Sequence, residues 1–213
     1  MTLFERLLRR SEELDQEIFT ILEQGFCSRA EPSERLDAAI GLALVAIEHG
    51  RALRALVSLG LMPSAISLMR PQFEAVTRSV WLMWAAKETD IEHIQAPLTL
   101  ESEKAASKLP MLSKMLDQIS ESAPSGPSQM LAQFKEASLA SLNSYVHGGI
   151  HVLSRQGTGY PERLVEQIVR NANGLQTMAG MLLAMFSGNA EAGSKMSKIQ
   201  SAFADCLPEL LPQ

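Results

Sequence analysis

PSAISLMRPQFEAVTRSVWLMWAAK, residues 63–87, decides the fold. Ile66, Leu68, Met69, Phe73, Val76, Val80, Leu82, Met83 and Trp84 point in most directions around a helix. A helix with so little polar face packs inside others. Yet it carries Arg70, Glu74 and Arg78. At the helical repeat, Ser67, Arg70, Glu74, Arg78 and Trp81 fall within roughly 80° of one another. Buried charges are costly unless paired. Arg70–Glu74 and Glu74–Arg78 are both i,i+4 pairs, so the stripe can satisfy itself and lock helix register. Alternatively it is the floor of an anion site, with Glu74 orienting the two arginines. Pro71 removes a backbone donor inside the helix and predicts a kink near Ser67–Arg70.

Outside this stretch the composition is also that of helices. Ala, Leu, Met, Ser, Glu and Gln dominate, β-branched residues are sparse, and aromatics make up only 5%. At 213 residues the expectation is a single domain over 1–213. Its predicted architecture is an all-α, up-and-down bundle of about six to eight helices. Eleven methionines suit adaptable packing, including a contact between subunits. A net charge of -5 argues against a general duplex-binding module, though arginines can still cluster locally. Cys27 and Cys206 have no metal-ligand spacing and read as free thiols of a reducing compartment. The charged, amphipathic first residues are no secretion signal, and no run of 18 apolar residues spans a membrane. A cytoplasmic protein without a membrane partner is expected.

Periodicity places a first helix over 2–24 and a loop through Phe26–Pro32. Ser33 caps a second helix running to about Leu59. Asp90 caps a short helix that ends before Pro97. Residues 98–128 read as a peripheral arm and flexible linker: a Lys/Glu/Ser-rich piece, an amphipathic stripe over 111–119, then SESAPSGPS at 120–128. The arm's Met/Leu stripe either packs back on the bundle or meets a partner chain. Ser128 starts a helix that ends or bends at Gly148-Gly149. Pro161 opens the last long helix, to about 187, and a final helix follows to about 206.

Two features besides the stripe carry candidate chemistry. Asn143, His147 and His151 recur every four residues beside the double glycine, with Arg155 following. His147 is the one candidate general acid or base at neutral pH. No carboxylate completes a metal triad with the histidines, so neither a metal nor another cofactor is expected. The last long helix adds a polar line of Glu166, Arg170, Asn173 and Thr177, facing either the polar interior or solvent. Nothing suggests a nucleophile elbow or a phosphate loop.

RPQFEAVTRSVWL together with LNSYVHGGIHVL resembles a set of uncharacterised helical-domain families, remotely similar to the HEPN superfamily. The resemblance covers roughly 33–187 and implies a compact bundle, often a homodimer, that binds nucleotide or RNA. Many members are metal-independent ribonucleases of toxin or defence systems, in which four to six residues separate an Arg from the following His. Ala140, Ser141 and Leu142 stand where that Arg is expected. The resemblance then implies catalysis by His147, with Arg70 and Glu74 supplied from the other helix. Arg78, Asn143, His151, Arg155 and Arg170 become ligand-binding residues. The alternative expectation is a non-enzymatic dimerisation or protein-interaction module whose ion-pair network is structural.

Overall fold

The computed structural model describes residues 2–25 and 33–209, and among them every regular element is helical. The expected loop Phe26–Pro32, with Cys27, lies outside the described residues. The chain is all-α, and its described residues form ten α-helices rather than six to eight. They are α1 (Leu3–Gly25), α2 (Glu34–Ser58), α3 (Met62–Trp84), α4 (Glu88–Gln95), α5 (Leu100–Ala106), α6 (Leu112–Ser122), α7 (Ser125–Val146), α8 (Ile150–Thr158), α9 (Glu162–Phe186) and α10 (Ala190–Ala202). A 3-10 turn, Ala204–Cys206, follows.

The central helix α3 runs through Pro71 without a break. Phe73, Val76, Val80, Trp81 and Leu82 are inaccessible to solvent. α2 and α3 form a hairpin that α9 closes from one side and the α6–α7 pair from the other. Ser33 caps α2 by accepting from the Leu36 amide, as its position before an acidic first turn predicts. Asp90, expected at the cap of α4, sits three residues inside instead. Its carboxylate accepts from the Lys87 amide, which is the other half of a capping box.

The stretch expected to be a flexible linker is helical except at Ala123 and Pro124. Met115, Leu116 and Ile119 bury themselves on the bundle, which fixes α6 and leaves α7 room to start at Ser125. Packing has overridden a composition rich in Ser, Pro and Gly. Phe73 stacks on Phe134 with ring centroids 4.7 Å apart, and the Ser67 hydroxyl lies 3.4 Å from the Tyr145 carbonyl. Thus α7 runs antiparallel to α3, and its C-terminus reaches the end of the bundle where α2 turns into α3.

Gly148 holds φ +65°, the left-handed conformation that ends α7 with His147 as its cap. Gly148→Ala is expected to cost about 1–2 kcal/mol, read as a lower urea midpoint at unchanged slope. Cys206 is fully buried under α1 and α9. Burial first, then Asp205, pushes its thiol up to about 11. In a Cys27→Ser background, Cys206 should therefore not react with a thiol reagent at pH 8 until denaturant unfolds the chain.

Candidate functional site

The ionic stripe of α3 is pinned at both ends by the α6–α7 pair. At one end Ser67 donates to the Pro63 carbonyl and approaches that of Tyr145. At the other, the Trp81 indole N–H donates to Gln118 Oε1 at 2.7 Å. Between them Arg70 Nε donates to Glu74 Oε1 at 2.8 Å, and Arg78 Nη2 lies 3.6 Å from Glu74 Oε2. Both arginines therefore share one carboxylate. Side-chain exposures of 24%, 23% and 49% for Arg70, Glu74 and Arg78 make this a half-solvated ladder. Such pairs contribute little to stability. The triple variant Arg70→Met, Glu74→Leu, Arg78→Met should stay within about 1 kcal/mol of the parent by urea denaturation.

His147 is exposed and caps α7 through its backbone amide. Gly149 then caps α8, and His151 stacks against Tyr145 with centroids 6.2 Å apart. No hydrogen bond or ion pair joins Arg70 to His147 among the described residues. The two stand on neighbouring helices, α3 and the end of α7. Arg155 is half-buried on α8. Arg170 is turned elsewhere and donates to the Leu207 carbonyl at 3.1 Å, tying α9 to the end of the chain. Two polar atoms near the glycine bend are buried without a partner in the structure: Asn143 Oδ1 and the Tyr160 hydroxyl. Burial, then Tyr145, raises the Tyr160 phenol pKa against the pull of Arg155.

The deeply buried polar interior lies elsewhere, among α1, α2, α3 and α9. Arg54, 8% exposed, places Nη2 3.3 Å from Asp15 Oδ1 and donates to Gln176 Oε1 and Asn173 Oδ1. Gln176 Nε2 donates in turn to Asp15, and Arg51 completes the pair from the rim at 2.9 Å. Asn173 Nδ2 reaches the Ser11 hydroxyl and the Cys206 carbonyl, at 2.8 and 2.9 Å. Gln72 crosses from α3 to the Ala172 carbonyl at 3.0 Å. Gly50 makes room for this layer, since a Cβ there would stand 2.6 Å from Gln72 Nε2. Burial is the main reason that Arg54 has its pKa lowered, with Asp15 opposing it. Of the expected polar line on α9, Asn173 joins this network and Thr177 bonds back to the Asn173 carbonyl.

The bundle end formed by the α2–α3 turn, the end of α7 and α8 has its own chemistry. Residues 49–73 and 137–161 contain no Asp or Glu, although the chain has 24. Of their arginines, Arg51 and Arg54 pair with Asp15 and Arg70 pairs with Glu74, while Arg155 is half-buried on α8. Leu59, Leu61, Val146, Ile150 and Leu153 are exposed there, and α8 buries none of its residues. An amphipathic helix that covers its apolar residues with nothing is an unfinished contact. Among the described residues no three His, Cys, Asp or Glu side chains gather as a metal site. None of the described helices is long and apolar enough to cross a membrane.

Among the described residues, fold and site together define an all-helical protein with a largely buried polar core and one apolar end whose α7–α8 stretch, 137–161, holds no Asp or Glu. The chain belongs to the DUF6988 family, a family of unknown function, whose model matches residues 43–209. No curated protein and no solved structure matches it.

Proposed function

We propose that this chain is a non-enzymatic helical interaction protein that docks a partner on the α7–α8 end of its bundle. The observation that supports this is the pair of exposed apolar side chains on α8, with Ile150 at 77% and Leu153 at 68% exposure, in a stretch of chain, 137–161, without a carboxylate. Apolar groups in that number contribute binding energy only when another surface covers them. The α3 ladder, satisfied by its own carboxylate, is part of the scaffold. Placing a photo-crosslinking residue at position 150 in cells should trap a partner, whereas one at the exposed Glu12 of α1 should not. No adduct at 150 or at 153 would end the reading.

A second reading rests on a separate observation. Asn143 Oδ1 and the Tyr160 hydroxyl lack partners in the structure, and Arg155 lies near Tyr160. A phosphate-bearing ligand, nucleotide or RNA, supplies donors and acceptors to such groups. In the HEPN-like form, Arg70, Arg78 and Arg155 hold phosphate. His147 serves as acid or base, and the ribose 2'-hydroxyl is the nucleophile, so no metal is needed. A thermal-shift series with nucleotides and orthophosphate tests binding through linkage. Incubation with total RNA in chelator, beside His147→Ala, tests cleavage. Unshifted melting and identical RNA patterns would leave only the interaction protein.

A further inference from the structure

The two ends of the bundle differ in a complementary way. At the end where α3 finishes, the α4–α5 arm carries Leu98 and Leu100, and Met111 caps α6 beside it; at 94%, 77% and 80% exposure they are among the most exposed apolar side chains of the described residues. The same arm is acidic: residues 88–108 hold Glu88, Asp90, Glu92, Glu101 and Glu103 against Lys104 and Lys108. Its position is fixed by Gln95, which donates to the Glu34 carbonyl at the start of α2, and by the Arg35–Glu88 ion pair. At the other end stand Leu59, Leu61, Ile150 and Leu153 with Arg155, His147 and His151, and no acid between 137 and 161. One surface is apolar and acidic; the other is apolar, and its α7–α8 stretch contributes no carboxylate. They are separated by the length of α3, about 35 Å.

We propose that the α7–α8 end docks the α4–α5 arm of a second copy of this chain, an inference that rests on the interaction reading above. Arm and receptor lie at opposite ends of the same helix. Two copies laid side by side and antiparallel therefore make the contact twice, and a two-fold dimer closes with no free end. Leu98, Leu100 and Met111 of one copy cover Leu59, Ile150 and Leu153 of the other, while Glu101 and Glu103 face Arg155. Charge complementarity sets the partner's direction, because like ends brought together would leave the arm carboxylates facing one another.

The test is the mass of the purified full chain by light scattering, with circular dichroism confirming that each variant is folded. The parent should elute at twice 23.3 kDa. Ile150→Asp with Leu153→Asp, at the receptor, and Leu100→Asp with Met111→Asp, on the arm, should each weaken the dimer about 100-fold or more. Arg155→Glu should weaken it too, and adding Glu101→Arg with Glu103→Arg should restore it. A parent that stays monomeric at its highest soluble concentration overturns the proposal. So does a dimer indifferent to both Asp pairs, or one that the charge exchange fails to restore. A monomer that sediments with vesicles of anionic lipid, or that crosslinks at position 150 only to a different protein, also overturns self-docking. The crosslinking outcome leaves the interaction reading standing, so the two failures are distinguishable.

Discussion

Asp15→Ala is expected to lower folding stability by about 3–4 kcal/mol, the largest loss for any polar residue of this chain. The cause is not the pair's own strength. Arg54 is 8% exposed and sits between α2 and α9, where burial already disfavours its charge. Removing the carboxylate leaves a guanidinium inside the bundle with only the neutral oxygens of Gln176 and Asn173. Arg51 does not suffer in the same way, since it is exposed and falls back on water. The sign of the effect is checked by the partner substitution. Asp15→Leu with Arg54→Met replaces both charges by packing and should recover most of the loss, because an apolar pair of similar volume avoids the desolvation cost. Urea denaturation of the parent, Asp15→Leu, Arg54→Met and the double variant yields the coupling. A single variant that loses under 1 kcal/mol would mean that water already reaches Arg54, and that the network is solvated.

The same cycle bears on why the sequence revealed one polar layer and hid the other. The stripe Arg70–Glu74–Arg78 was legible because three charges interrupt an apolar helix, and its self-pairing follows from i,i+4 spacing. The structure keeps that pairing and leaves the residues half exposed. The Arg54 layer was harder to see, since an arginine is expected on the wet face of a helix. The clue was register. Ile40, Ala43, Ile47, Gly50, Arg54 and Val57 recur every three or four residues, so Arg54 stands on the buried stripe. Asp15 follows the inward-facing Ser11 by one turn in the same way. What no periodicity contains is the partner across the bundle, because Asp15, Arg54 and Gln176 lie far apart in the chain.

Helix identity was written more plainly than helix ends. Gly148, Pro161 and Gly188 stop or start helices where their backbone preferences require. The Ser/Pro/Gly run at 120–128 misled, because a short turn between two packed helices needs only Ala123 and Pro124 outside them. Composition reports what a segment does alone. Met115, Leu116 and Ile119 decide what it does beside α3. The same distinction separates α6 from α8. Both are amphipathic, yet α6 buries its apolar side and α8 buries nothing. That difference belongs to tertiary structure, and the docking proposal is built on it.

Trp81→Ala should destabilise the fold by about 3–5 kcal/mol and should do so unevenly. Trp81 is the largest fully buried side chain and lies on the ionic stripe's last turn. Its indole both fills the space under α6 and donates to Gln118. Truncation opens a cavity and orphans a half-buried acceptor at once, two separate losses. Trp81→Phe keeps most of the volume and removes only the hydrogen bond, so about 1–2 kcal/mol is expected. Trp84 remains as a fluorescent reporter in both. The uneven part is read by amide exchange. α6 is held to α3 by this indole and three apolar side chains, whereas α9 is held by most of its length. Protection should therefore fall first over 112–122, and then at the end of α7, which rests on the same surface of α3. Uniform loss across α6, α7 and α9 would show that the α6–α7 pair opens only with the whole bundle. The α7–α8 end would then be as rigid as the core beneath it, and docking there would require no adjustment of the helices that carry it.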